Sequence, residues 1–389
     1  MANNNNTKNL NVPNLRFPEF KGEWEKCKLE ECVVFLDGKR KPIKSSERVS
    51  EQKLYPYYGA SGIIDYIDDY LFDGKFILLS EDGANILDRN YRVAFIAEGK
   101  IWVNNHAHVL QSNDNIDINF IAEKLESLDY SIYNTGTTMP KLNQEVCRNI
   151  PLWLPPTEEQ VKIGTLLSLL NERITTQSKI IEKYESLIKG MNEKLLINKK
   201  EYTTYRLSDI CEIRSGYSGT QLTGTQGLMV SRIETISKHC INLDKVGYVK
   251  PFDSSADFKL HIGDILFSNI NSVQYIGNTA FVDREYDLYH GMNLLRLIPR
   301  KIVEPFYVFL LLNTAKYKIH FQSICNKAIS QASINQTELG KTVIHIPDLL
   351  YQKQICQLYN SLYNKKNIEN LYLQALKQQK NHLLRQMVI

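Results

Sequence analysis

The sequence predicts an α/β (α+β) protein: two mixed α/β domains joined by two long antiparallel coiled-coil helices, related by a pseudo-twofold internal repeat. Three observations predict it. Residue matches recur at one constant offset, a proline-free heptad stretch closes each repeat, and short alternating apolar runs separated by turn residues fill the space between.

The repeat is clearest where each half ends. Leu142-Asn143-Gln144 pairs with Ile334-Asn335-Gln336, and the same offset pairs Pro155 with Pro347, Gln160 with Gln352, Ile163 with Ile355, Leu166 with Leu358 and Leu170 with Leu362. Near the starts, residues 29–38 (LEECVVFLDG) and 207–216 (LSDICEIRSG) share an apolar rhythm. Ser80 and Ser268 end comparable apolar runs, and His106 and His290 hold comparable places. The chain therefore reads as one unit of about 190 residues used twice, alike at its edges and different in its middle. The expected divisions are a disordered tail at 1–13, heads at 14–155 and 201–347, and long helices at 156–200 and 348–389.

Each long helix has its own signals. Pro155, Pro156 and Thr157 close the first head, and Thr157 is placed to cap a helix with Gln160 reaching back to it. Apolar residues then recur at Ile163, Leu167, Leu170, Ile174, Ile181, Tyr184, Ile188, Met191 and Leu195, with Gln177 in one polar slot, which is a heptad seam. About forty helical residues make a rod of about 60 Å, too long to bury in one domain of this size. It needs a partner helix. The C-terminal stretch supplies one: Asp348 can cap it, no Pro or Gly follows, and its stripe includes Ile355, Leu358, Leu362, Leu371, Tyr372, Leu376, Leu383 and Met387. Antiparallel rods set the heads at opposite ends and create equivalent places for two copies of one partner. The alternative is two helices packed separately, each on its own head.

Composition bounds the rest. A chain of 389 residues exceeds one ordinary core, and 43% hydrophobic with 23% charged residues is globular. A net charge of +4 permits an anionic partner without demanding one. The 7 cysteines are odd in number and lack C-x-x-C spacing, which argues against a zinc ribbon or disulfide framework and for a reducing cytoplasm. No apolar run is long enough to span a membrane, and the Asn-rich start lacks the apolar core of a signal peptide.

In the first head, residues 76–79, 91–97, 101–103 and 108–111 read as strands, separated by turns at Asp73-Gly74, Glu81-Asp82-Gly83 and Glu98-Gly99. In the second, 228–231, 264–267, 278–282 and 294–297 read as strands and 305–323 as one helix.

Here the residues carry a resemblance. Tyr57-Tyr58-Gly59-Ala60-Ser61-Gly62 in the first head, and Gly263-Asp264-Ile265-Leu266-Phe267-Ser268-Asn269 followed by Ile276-Gly277 in the second, are similar to segments of the type I restriction-modification specificity subunits. So are the proline-to-glutamine openings of both long helices, Pro155 to Gln160 and Pro347 to Gln352, and the stretch Val12-Pro13-Asn14-Leu15-Arg16-Phe17-Pro18-Glu19-Phe20. The resemblance covers nearly the whole chain, and the order head-helix-head-helix makes it specific. It implies that the heads are target-recognition domains, each reading half of an interrupted, asymmetric double-stranded DNA site. It implies two methyltransferase subunits docked near the helices and two restriction and translocase subunits joining them. It implies as well that S-adenosylmethionine, ATP and Mg²⁺ belong to those partners and that this chain holds no cofactor or metal. One departure is Ile270, where the family often has arginine after the asparagine.

Phosphate contacts come from Lys and Arg, and base contacts from Arg, Asn, Gln, Ser and Thr. In the first head the candidates are Lys39 and Arg40 in a basic loop, Tyr58 and Ser61 in the Gly-rich segment, Ser80, Glu81 and Asn85 after a strand, and Asn104 and His106 before one. In the second they are Arg214, Tyr217, Ser231, Arg232, Ser268, Asn269, Asn271, Ser330 and Gln331, with Arg232 the leading candidate for reading guanine. Solvated loops and ordinary turn chemistry are the alternative at each place.

Enzyme readings have less support. Glu98-Gly99-Lys100 with Asp82 and Asp88 loosely resembles a Mg²⁺-dependent nuclease set, but the second head has no counterpart. His106 and His108 share a strand face without a ligand-spaced Cys or carboxylate after them. No P-loop, G-x-G-x-x-G or Asn-Pro-Pro-aromatic methyltransferase motif occurs. A coiled-coil adaptor that binds proteins only is the remaining alternative.

Overall fold

The computed structural model describes residues 11–48, 52–197, 201–237, 239–327 and 331–389. Ser330, residues 198–200 and most of the expected tail lie outside the described residues. Asn11 and Pro13 do not: Trp24 N donates to Asn11 O at 2.8 Å and Pro13 is buried, so this end of the expected tail packs on the first head. The chain divides into two compact units, residues 1–179 with 370–389 and residues 180–369. Each unit thus holds one head, one end of one long helix and the opposite end of the other.

The first unit runs β1 (Glu25–Lys28), α1 (Leu29–Cys32), β2 (Val33–Phe35), β3 (Tyr55–Gly59), β4 (Gly62–Ile67), β5 (Phe72–Ser80), α2 (Asn85–Asp88), β6 (Ala94–Val103), β7 (Ala107–Ser112), α3 (Ile118–Ser127), α4 (Gln144–Arg148), β8 (Pro151–Leu154) and the start of α5 (Thr157–Met191). Six strands form one sheet in the order β2-β7-β5-β6-β3-β4, and β1 pairs with β8. Ile77, Leu79 and Leu110 on one face pack with Phe120, Ile121 and Leu125 of α3, Ile163 and Leu167 of α5, and Leu384 and Met387 of the C-terminal helix (Leu349–Met387).

Two turns expected at Asp73-Gly74 and Glu98-Gly99 are absent. They face each other inside the β5–β6 ladder, Gly74 opposite Gly99. Both glycines have positive φ, 144° and 87°, so they bend the ribbon rather than end it. The bend matters downstream. Ala107 pairs with Ser80 at one end of β5, yet Val103, only a short turn before it, lies beyond the other end. The sheet must curl to bring those ends together.

The second unit repeats the frame. Strands Cys211–Ser215, Leu295–Pro299, Ile265–Phe267 and Thr279–Phe281 lie side by side in that order, matching β2-β7-β5-β6. Thr203–Arg206 pairs with Val343–Ile346 as β1 pairs with β8. What differs is appended: β3 and β4 in the first head, and three small sheets in the second. The helix expected over 305–323 is broken into Pro305–Leu312 and Ala315–Ile324. Asn313 ends the first piece, donating to Phe309 O at 2.8 Å and to Thr279 Oγ1 at 2.6 Å.

The long helices pair in opposite directions within each unit. In the first unit Arg173 donates to the Tyr372 hydroxyl at 2.7 Å. In the second, Tyr351 meets Leu195, Tyr359 meets Asn192 and Lys366 meets Glu185, so one helix rises as the other falls. Ile163, Leu167, Leu170, Ile181, Ile188 and Ile355 are buried, and Ile174 and Leu362 partly so. Leu358 is a correction: it is 42% exposed, and the fully buried neighbour Tyr359 takes its place in the seam. Gln160 is a second correction. It does not reach back to Thr157 but accepts from Asp117 N at 3.0 Å and donates to Pro155 O at 2.9 Å. Gln352 repeats both bonds, with Glu304 N at 3.0 Å and Pro347 O at 2.8 Å. Asp348 caps its helix through Tyr351 N.

Candidate nucleic-acid interface

Because the first sheet curls, five connections meet at one rim. Asn104 N donates to Tyr58 O, Glu81 N to His106 O, Leu142 N to Glu81 O, Gly83 N to Pro140 O and Lys41 N to Val103 O. The rim thus collects the basic loop near 36–44, the β3–β4 turn, the segment after β5, the β6–β7 turn and residues 139–144. Lys39, Arg40, Ser61, Glu81, Asn104 and His106, expected from separate places in the sequence, come together here.

Their side chains divide by exposure. Lys39 and Ser61 are exposed, and Tyr58 is half-buried, tilted against Phe95. His106 reaches the surface with Nδ1 at 2.9 Å from Asp82. Ser80 is a correction: it is fully buried and its hydroxyl donates to Ala60 O at 2.6 Å, tying the Gly-rich turn to the end of β5. Asn104 is also buried, its Oδ1 accepting from His106 N. Asn85 holds its own loop, bonding both N and O of Tyr91. Arg40 turns inward, donating to Glu81 at 2.7 Å and to Ala107 O at 2.8 Å.

Beneath the rim lies a cluster that sequence spacing missed. Asp37, Glu81 and His108 bring three ligand-type atoms within 4.8 Å of one another. Their hydrogen bonds describe ion pairing. His108 is 1% exposed, with Nδ1 at 2.6 Å from Asp37 Oδ2 and Nε2 at 2.9 Å from Leu142 O. Both ring nitrogens face acceptors, so the ring carries two protons. Burial opposes that charge, but the bond to Asp37, with Cys147 close by, outweighs it and lifts the pKa to about 10. Asp37 is in turn held below the usual carboxylate range: burial opposes this, and His108, Val109 N and Arg40 overcome it. Gln144 Nε2 adds a bond to Asp37 at 2.7 Å. Gln144 was visible in the sequence only as a repeat anchor.

The second head gathers its candidates in two places. Tyr217 N bonds His290 O and Ser231 N bonds Tyr289 O, which joins Tyr217, Ser231 and Arg232. Tyr217 stacks on Phe252 at 3.8 Å, and Arg232 is exposed beside Glu234. Ser231 is fully buried and accepts from Gly291 N at 3.0 Å, which corrects its assignment as a contact. Ser268 is likewise buried, accepting from Asn271 Nδ2 at 3.2 Å. Asn269 donates to Ile334 O, which draws the Ser268 loop to the strand after exposed Gln331. Arg214 lies apart, exposed and paired with Glu212 at 2.6 Å. The nuclease set is not assembled: Glu98 lies opposite Lys75, Lys100 sits over the Tyr70 ring and Asp82 holds His106.

With this geometry in place, the comparisons are specific. The family model for the type I restriction modification DNA specificity domain matches twice, over residues 21–186 and 199–378. The chain belongs to that family. Relatives include a putative type I restriction enzyme MjaX specificity subunit of Methanocaldococcus jannaschii, 38% identical over 193 residues, which are 48% of this chain and 45% of that protein. The match thus spans less than half the length of that relative. A putative specificity subunit of Haemophilus influenzae, S.HindORF215P, is 29% identical over 357 residues and 86% of each chain. The crystal structure of an S subunit from M. genitalium shares the fold, with a TM-score of 0.65 at 15% identity over 97% of this chain and 99% of that one. Among the described residues no helix is long and apolar enough to cross a membrane.

Proposed function

We propose that this chain is the sequence-reading subunit of a type I restriction-modification complex and has no catalytic site of its own. Each head reads one half of an interrupted, asymmetric double-stranded DNA target. Two methyltransferase subunits dock near the long helices, and two restriction and translocase subunits join them in the cytoplasm. S-adenosylmethionine, ATP and Mg²⁺ are held by those partners. One observation carries the reading: two heads share a four-strand frame in the same order but carry different appended sheets and different rims. A shared frame with divergent rims suits two different half-sites, and duplicated helix ends suit two copies of one partner. Affinity purification from the host followed by mass spectrometry tests it. A methyltransferase should co-purify and confer sequence-selective DNA binding; a chain that purifies alone and binds no duplex contradicts it.

A further inference from the structure

The cluster under the first rim points beyond the contacts themselves. Four of the five connections at the rim converge on it. Asp37 and Arg40 belong to the basic loop, Glu81 follows β5, His108 opens β7 behind the β6–β7 turn, and Leu142 and Gln144 come from the segment before β8. Arg40 spans the middle, bonding Glu81, Ala107 O and the Asp37 carbonyl, and Lys141 lies 3.5 Å from Glu81. Three cations therefore face two carboxylates, nearly all out of solvent. Such pairs fix geometry because each charge is costly to leave alone. The second head has a buried ion pair of its own, Arg296 with Asp264 at 2.6 Å, but among its described residues none that joins a histidine of the corresponding turn to a carboxylate. Its buried His290 bonds only a backbone carbonyl through Nε2, and the corresponding glutamine, Gln336, donates to Ile213 O.

We propose that Asp37 and His108 are positioning residues for DNA reading by the first head. They form a buried imidazolium–carboxylate clasp that holds four of the rim connections in one frame, while Lys39 and Lys41 on the basic loop and Ser61 on the adjoining β3–β4 turn stay exposed to meet the duplex. Arg40 and Glu81 then serve the clasp rather than the DNA. The inference rests on the proposed DNA-reading function.

The test uses the assembled complex with its methyltransferase and the host target sequence. Binding is measured to the cognate duplex and to duplexes scrambled in one half-site or the other. Asp37→Asn and His108→Gln alone should each reduce discrimination at the first half-site by about tenfold or more and leave the second unchanged. The double variant, which removes both charges, should recover most of it, since replacing a buried pair costs less than breaking one. Where a single variant fails to fold, Gln144→Ala removes one bond to Asp37, keeps every charge and should show a smaller loss at the same half-site. A clasp with only a structural role lowers melting temperature and active fraction but leaves both discrimination ratios at wild-type values, and that result overturns the inference. If the wild-type complex itself fails to discriminate, the proposed function falls first.

Discussion

At the scale of single residues, Gln160 and Gln352 show how the repeat survives. Each satisfies two backbone groups that fold burial would otherwise strand, at the junction of a head with its long helix. Replacing either with alanine should cost about 1–3 kcal/mol, measured by urea unfolding, because a buried N–H and C=O lose their partners. A replacement without effect means water fills the gap. Two histidines carry opposite pH signatures. His108 has a folded pKa of about 10, above its unfolded value, so its contribution is complete below about pH 6.5 and is lost as pH rises toward 10. His290 is lowered to about 4, by burial first and then by Arg296, so its contribution is complete above about pH 6.5 and fades as pH falls toward 4. Hydrogen exchange resolved by peptide should show the first head loosening on the alkaline side and the second on the acid side. Uniform loosening of both heads contradicts these assignments.

At the scale of elements, legibility followed periodicity. The heptad signal in α5 placed most seam residues correctly, since period and burial coincide there. In the C-terminal helix the apolar stripe failed at Leu358, where the neighbouring Tyr359 is the buried side chain and its hydroxyl donates to Asn192 at 2.7 Å. Tyr359→Ala should therefore cost about 3–5 kcal/mol and Leu358→Gln almost nothing, by thermal or urea unfolding. Equal costs would return Leu358 to the seam. The strands were legible as apolar runs, but the glycine pairs misled, because Gly in a strand and Gly in a turn look alike in sequence. Gly99 has φ 87° and open space where a methyl group would sit, so Gly99→Ala should cost about 1–2 kcal/mol from backbone strain alone. The rim loops were recognisable one by one as polar connections. Their convergence, and the burial of Ser80, Ser231 and Ser268, depended on a curl and on long-range pairing that no local pattern encodes.

At the scale of the whole molecule, the duplicated frame suits the divided target proposed for it. Phosphate contacts by the rims predict an affinity that falls steeply with salt, with a slope that shrinks by about one for each contacting lysine removed. The helices that join the heads should act as a ruler: matched deletions in both should change the spacing between half-sites and not the bases read. The most direct test of the central claim is a methylation map of host DNA with the chain present and deleted. The expected map shows a methylated target made of two different half-sites at fixed spacing, present only with the chain. A map unchanged by the deletion, or a single uninterrupted target, would contradict the claim.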